Sequence, residues 1–451
     1  MKNLIYLIVL TTFIGCEGPQ QVAKDSTIPV EYDSIFNIVQ RQTFQYFWDG
    51  AEPVSGLARE RFHVDGIYPQ NDKHIITSGG SGFGVMALLV GIERGYITRE
   101  QGVERFERIL NFLDSADSFH GAWPHWWDGE TGKVKPFSRY DDGGDLVETA
   151  FLVQGLLCVR QYFKDGNDRE KAIAARIDEH WKSVDWNFYQ NGQNVLYWHW
   201  SPDHGWRMNF PVTGYNECLI MYILAASSPT HPIAPEVYHE GWAKSGAING
   251  KTTEYGYTLD MIHNGAEKYG GPLFWAHYSY LGLDPRGLKD QYSDYWEHNK
   301  NHTLINRAWC VENPKQYKGY GPQSWGLTAS YSTKFYAAHM PGMETDHGVI
   351  TPTAALSSMP YTPEYSMEAM SYWYTSLKDS LWGPYGFYDA FSETENWFPK
   401  KYLAIDQGPI VVMMENHRTG LLWNLFMSCP EIQDGLKKLG FSSPHLNKQT
   451  P

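Results

Sequence analysis

From Tyr32 the apolar residues Ile35, Phe36, Val39, Phe44, Phe47 and Trp48 recur at helical spacing and stop at Gly50. The same periodicity predicts helices over 82–94, 99–114, 145–163 and 168–183, the second opened by Thr98 with Gln101 three residues on and the last two parted by Asp165-Gly166-Asn167. Further helices are expected over 211–226, 233–244, 273–281, 288–310, 353–358, 363–381, 406–416 and 419–427. Between them lie loops. Residues 59–82 read as loop with a run of small residues from Ser78, 185–209 as a short hairpin turning at Gly205, and 227–285 as long loops around their helices. Residues 319–331 read as a Gly and aromatic loop leading to a short helix, and 383–397 as another aromatic loop.

About a dozen helices, mostly in consecutive pairs and with only weak strand signals, define an all-α chain. No repeat of identical residues is visible. Helical hairpins recurring roughly six times fit a closed toroid of inner and outer helices, the (α/α)6 barrel. An alternating α/β fold and a β-barrel are excluded by the shortage of strands. An elongated solenoid, the alternative, would expose the Trp-rich loops.

The beginning of the chain follows other rules. MKNLIYLIVLTTFIGC carries Lys2, an apolar core from Leu4 to Leu10 and a small residue before Cys16, and reads as a lipoprotein signal peptide over 1–16. A polar, Pro-containing tether over 17–30 follows, then the helical domain over 31–441 and a tail over 442–451. Cys16 is thus expected to carry a lipid, making this an exported, lipid-anchored protein of the periplasm or outer membrane; the alternative is a plain signal peptide cut nearby. Cys158, Cys218, Cys310 and Cys429 remain, an even count that permits disulfides, although Cys158 and Cys218 fall in apolar helical runs that suit buried free thiols.

A formal charge of −14 argues against nucleic acid and anionic membrane surfaces as partners, so a neutral or cationic ligand is expected. Aromatic residues make up 15% of the chain, and many of the 18 Trp and 30 Tyr lie beside Gly, Pro, Asp and His in loops. Flat amphipathic rings there suit sugar faces, and their polar tips suit sugar hydroxyls. There is no Walker P-loop, no GxGxxG after a strand, no HExxH, and no CxxC or zinc-type Cys/His spacing. Neither a metal nor a cofactor is called for.

The richest stretch is GAWPHWWDGETGKVKPFSRYDDGGDLVETAFLVQGLLC, from Gly121 to Cys158. Asp141, Asp145 and Glu148 stand at i, i+4 and i+7 and share one face if the first helical turn reaches back through Gly143 and Gly144. The other reading makes Asp145 the helix cap and Glu148 its capping-box partner. The aromatic company of Trp123, His125, Trp126 and Trp127 favours a site. Glu217, in GYNE, begins an apolar run, and Asp406, in IDQGP, is the expected N-cap of its helix. Tyr388, Asp389 and Trp397 repeat the theme of acid beside aromatic. Carboxylates near ring-bearing loops are the minimum set for glycoside hydrolysis: one proton donor, and one group that attacks or activates water. Glu217, backed by Cys218, Leu219 and Ile220, suits the donor, whose surroundings must keep it protonated. The base falls among Asp141, Asp145, Glu148 and Asp406. His125, Trp126, Trp325, Tyr388 and Trp397 are the expected substrate contacts.

WPHWWDGETGKVKPFSRYDDGGDLVETAFLVQGLL, GYNE, GPQSWGLTASY and IDQGP resemble the bacterial glucoamylase-like proteins, the glycoside hydrolase family 144 that includes endo-β-1,2-glucanases. The resemblance covers nearly the whole chain after the tether. It implies an (α/α)6 barrel hydrolysing β-1,2-glucan with inversion and without a required metal, its acidic cleft falling on Asp141, Asp145, Glu148, Glu217 and Asp406; within that set we take Glu217 as the acid and Asp406 as the leading base candidate. The partner would be a neutral glucan or oligosaccharide and the protein a monomer. An α/α-barrel enzyme on another linkage, a uronate lyase, a transglycosylase or a non-catalytic glycan-binding lipoprotein are the rival readings.

Overall fold

The computed structural model describes residues 30–447 apart from Glu267 and Phe335. The expected signal peptide, tether and Cys16 lie outside the described residues, apart from Val30.

Helices α1 (Val30–Trp48), α2 (Ser78–Glu93), α3 (Arg99–Leu113), α4 (Leu146–Phe163), α5 (Asp168–Ser183) and α6 (Leu219–Ser227) build the first half. The second half has α7 (Tyr295–Glu312), α8 (Pro352–Leu356), α9 (Pro363–Ser376), α10 (Lys378–Leu381), α11 (Ala404–Arg418), α12 (Leu421–Met427) and α13 (Pro430–Lys438). The fold is mostly helical, and among the described residues the strands form two-stranded antiparallel pairs.

Two kinds of helix alternate. In α2, α4, α6 and α11 nearly every side chain is buried, and α2 packs on α4, α4 on α6, and α11 back on α2. The helices outside them are amphipathic. In α3, Val103, Phe106, Ile109, Leu110 and Leu113 form the buried stripe, and α5 buries Ile173, Ala174, Ile177 and Trp181. Each of the larger of these side chains withdrawn from water contributes about 1.5–3 kcal/mol before conformational entropy is charged against it. Thr98–Gln101 and Asn167–Glu170 close reciprocal capping boxes at the starts of α3 and α5, as the sequence predicts for α3.

Several boundaries differ from the periodicity. Helix α2 starts at Ser78, so the small-residue run taken for loop is its first turns. A Cβ on Gly82 would stand 2.2 Å from the Phe151 carbonyl oxygen, and one on Gly155 2.1 Å from that of Gly82. Glycine here allows two buried helices to touch backbone to backbone, and that gain outweighs its poor helix propensity. Residues 211–218 are irregular, α6 beginning only at Leu219. The 233–244 helix is reduced to a π turn at Val237–Trp242, and 273–281 to two 3-10 turns, Leu273–Ala276 and Tyr278–Tyr280. Asp294 caps α7, which starts later than expected. The loop over 319–331 ends in the strand Ala329–Tyr331, paired with Tyr336–Ala338, and not in a short helix. The hairpin Asn249–Glu254/Tyr257–Met261 and helix α13 were not foreseen. Cys158, Cys218, Cys310 and Cys429 are all buried free thiols. Among the described residues no helix is long and apolar enough to cross a membrane.

Candidate active site

A cavity of about 1180 Å³ opens beside the starts of the buried helices. One wall comes from the junction ahead of α4. Residues Gly144–Asp145 pair with His199–Trp200, and Asp145 caps α4 by accepting the Glu148 N–H at 2.9 Å. The capping box is only half made. Asp145 N–H goes to the Trp123 carbonyl at 2.8 Å, so the Glu148 carboxylate turns instead to the Gly79 N–H, also at 2.8 Å, in the first turn of α2. A side chain that the sequence could assign to its own helix start thereby bridges two helices at the cavity wall.

Asp145 is wholly buried and fully engaged: its Oδ2 lies 3.0 Å from His125 Nδ1 and accepts the Trp198 indole N–H at 2.8 Å. Asp141 stays outside the helix and lines the cavity. Its Oδ2 is 4.0 Å from His125 Nδ1 and its Oδ1 3.3 Å from His199 Nε2. Burial opposes charge on His125, but Glu148, Asp145 and Asp141 prevail and push it up to about 10, so it is an imidazolium at neutral pH. Burial and then the neighbouring carboxylates raise Asp141 and Glu148 to about 7. His125, Asp141 and Asp145 bring one ligand atom each within 4.8 Å, but the shared oxygen of Asp145 already serves His125 and Trp198.

Glu217, from the turn ahead of α6, also lines the cavity. Its turn is braced by Tyr215, whose hydroxyl donates to Asn299 Oδ1 at 2.6 Å and whose ring lies 4.4 Å from that of His263. Asn216 Oδ1 accepts the Cys218 N–H at 2.9 Å, and the Ser279 hydroxyl donates to the Glu217 carbonyl. Burial raises the Glu217 carboxyl to about 7, with Glu148 and Asp145 adding to the shift against donors from its own backbone and Cys218. This is the environment a proton donor needs near neutral pH.

A family profile described as putative glucoamylase matches residues 209–430. An endo-β-1,2-glucanase from Chitinophaga pinensis, solved with sophorotriose and glucose, is 74% identical, superposes with a TM-score of 0.92, and is covered over 99% of its length by 92% of this chain. The chain belongs to the bacterial glucoamylase-like family, glycoside hydrolase family 144. An exo β-1,2-glucooligosaccharide sophorohydrolase from Parabacteroides distasonis is 47% identical over 455 residues, 97% of this chain, which spans only 62% of that relative's length. An endo-β-1,2-glucanase from Talaromyces funiculosus shares the fold at 9% identity, with a TM-score of 0.63 over 90% of this chain and 86% of its own.

Within this glucoamylase-like chain the sequence-predicted acids are not equivalent. Asp141, Glu148 and Glu217 line the cavity, as do His125, Trp126 and Trp397. Asp145 is wholly buried and is not among the lining residues. Asp406 is not an N-cap: α11 starts at Ala404 with Leu403 as its cap, and Asp406, 1% exposed, sits inside the first turn and is not among the cavity-lining residues, although Leu403 and Ile405 are. Trp325 is fully buried, its indole N–H directed to the Tyr365 carbonyl, and Tyr388 packs on Tyr402 with ring centroids 5.2 Å apart; neither is among the cavity-lining residues. Loop neighbours mark both rings as substrate contacts, yet both fill the core.

Sequence reasoning missed Phe137 and Phe210, both 50% exposed and on the cavity wall. Phe137 stacks on His125 at 4.3 Å and Phe210 lies 5.4 Å from Trp198, so each covers a ring that binds Asp145. The signal that selected the tryptophans, an aromatic ring in a polar loop, applied equally to them. Tyr278 was also missed, hidden in a run read as plain helix; it lines the cavity, and Asp406 is foremost among the charged neighbours that add to burial in raising its phenol.

Proposed function

We propose that this chain hydrolyses β-1,2-linked glucan at internal bonds, on an (α/α)6 barrel whose inner ring includes α2, α4, α6, α8 and α11. The observation that carries the reading is the 74% identity, over 99% of its length, to an endo-β-1,2-glucanase. The site chemistry agrees with it: a buried carboxyl raised to about 7 lines the same ring-lined cavity as the acids Asp141 and Glu148.

In this mechanism Glu217 protonates the leaving glycosidic oxygen. Asp406 takes a proton from the attacking water, whose oxygen forms the new bond to the anomeric carbon with inversion. His125, as imidazolium, neutralises Asp145 and keeps that pair fixed beside the sugar, while Trp126, Trp397, Phe137 and Phe210 supply the faces on which sugar rings lie. Asp141 is the second candidate for the base, favoured by its place on the cavity wall. Glu217→Gln, Asp406→Asn and Asp141→Asn, assayed on linear β-1,2-glucan, decide these roles: near-normal turnover by any variant removes that residue from the mechanism. NMR of the first anomer released tests inversion. We further propose a monomer held at the membrane by a lipid on Cys16, in the periplasm or outer membrane; labelling with palmitate, lost in Cys16→Ala, tests the anchor.

A further inference from the structure

Two turns far apart in the chain meet at the cavity wall through one imidazole. Strand Arg61–His63 pairs antiparallel with Lys401–Leu403, and the chain then reverses. The Gly66 N–H donates to the His63 carbonyl at 3.0 Å, with Gly66 at φ +70°, and the Asp65 carboxylate accepts the Ile67 N–H at 2.9 Å. The turn thereby folds back onto His63, which is buried. His63 Nδ1 lies 2.6 Å from the Ile67 carbonyl oxygen, its backbone N–H donates to the Tyr68 hydroxyl at 2.9 Å, and the Tyr68 ring stacks on the imidazole at 4.8 Å. The other ring nitrogen, Nε2, lies 3.0 Å from the hydroxyl of Tyr331, at the end of the strand Ala329–Tyr331.

The proton positions follow from the partners. A carbonyl oxygen only accepts, so the contact with Ile67 places a proton on Nδ1. Burial, helped by the Lys401 and Arg61 cations and opposed by the Ile67 carbonyl and Asp72, lowers His63 below the ordinary histidine range; the imidazole is neutral and its Nε2 is bare. Burial raises the Tyr331 phenol, which keeps its proton and is the donor in this contact. The Tyr331 backbone is held as well, its N–H donating to Asp389 Oδ2 at 2.8 Å.

Both segments line the cavity, the first through Arg61, Asp65 and Gln70, the second through Tyr331, Thr333 and Tyr336. Each is a short excursion from a two-stranded pair. A segment of that kind fixed only at its base samples many conformations, and a ligand that uses it must first order it. We propose that His63 is a positioning residue whose bond to the Tyr331 hydroxyl clasps the turn after Arg61–His63 to the hairpin of Ala329–Tyr331 and Tyr336–Ala338, so that the two form one preorganised wall for the glucan chain. The proposal deepens the reading of the cavity as a glucan site and rests on it. Neither turn carries Glu217 or a candidate base, so the clasp acts on binding and not on bond cleavage.

Steady-state kinetics on linear β-1,2-glucan, beside backbone hydrogen exchange of the whole protein, test the clasp. His63→Ala and Tyr331→Phe are each expected to raise KM about 3- to 10-fold with kcat within about twofold. The double variant goes no further than either single one, because both remove the same bond. His63→Gln, whose Oε1 can accept the Tyr331 hydroxyl, returns KM to within about twofold of the parent. Amide exchange is expected to rise over both segments in His63→Ala and Tyr331→Phe and to fall back in His63→Gln. If His63→Ala fails to fold, Tyr331→Phe and His63→Gln carry the same comparison. Unchanged KM, additive losses in the double variant, a loss confined to kcat, no rescue by glutamine, or exchange that rises on one segment alone overturns the proposal. If the parent protein leaves β-1,2-glucan intact, the glucan reading falls instead, and the exchange data still decide whether the two segments are clasped.

Discussion

His125 Nδ1 lies 3.0 Å from Asp145 Oδ2, and the carboxylates around this contact raise the imidazole to about 10 in spite of its burial. The sign is that of a stabilising cation: its contribution to folding is complete below the ordinary histidine range near 6.5 and is lost as pH rises through about 10. His125→Gln is expected to lower kcat about 10- to 100-fold and to abolish an alkaline limb of kcat/KM near that value. A pH–rate profile of the two proteins checks it; an unchanged alkaline limb would detach the histidine from catalysis.

Two of the glycines at the start of α2, Gly79 and Gly82, should respond differently to alanine. At Gly79 the added Cβ meets the end of the Glu148 side chain at 2.2 Å, and that carboxylate can swing away. Gly79→Ala is thus expected to lower activity about tenfold or more with a stability change under about 1 kcal/mol. At Gly82 the obstacle is the Phe151 backbone, at 2.2 Å, and two helices must part. Gly82→Ala should cost about 2–4 kcal/mol. Urea denaturation read beside turnover separates the two; equal stability losses would contradict the packing described for α2 and α4.

Glu217 carries a cost to stability as well as a proposed role. Its carboxyl titrates near 7 in the folded chain against a reference of 4.5, so the folded state binds the extra proton across that window and stability falls as pH rises through it. The loss is on the order of 3 kcal/mol above the window. Glu217→Gln should melt higher than the parent at pH 8, converge with it near pH 4, and lose at least about a thousandfold in turnover. Calorimetry at the two pH values gives the comparison, and a variant less stable at pH 8 would mean that the buried carboxylate is compensated.

Phe137 and Phe210 cover the rings that hold Asp145 and remain half-exposed. Alanine at either position is expected to raise KM for long glucan about 3- to 10-fold with kcat changed less than about twofold. A matched loss of kcat would show that the rings align the acids as well as binding sugar.

Much of this was legible from local signals. Thr98 with Gln101 announces α3, and the apolar stripe from Ile35 to Trp48 announces α1, because caps and amphipathic faces are written in adjacent residues. Periodicity finds α2 only from Gly82, because the glycines of its first turns serve a contact with Phe151, far away in sequence. The acids stand out by composition, and three of the five line one cavity; the burial of Asp406 within the first turn of α11 is set by tertiary packing that no local pattern spells out. Trp325 and Phe137 make the same point in opposite directions, since loop composition cannot say which ring the tertiary fold turns inward.

The most direct measurement is incubation of the purified protein and its Glu217→Gln variant with linear β-1,2-glucan and with neutral glucans of other linkages, scored by product length at early times. The account predicts a range of β-1,2-linked oligosaccharides from the first substrate alone, none from the others, and none from the variant. An intact β-1,2-glucan after incubation with the parent protein, or equal product from the variant, would contradict it.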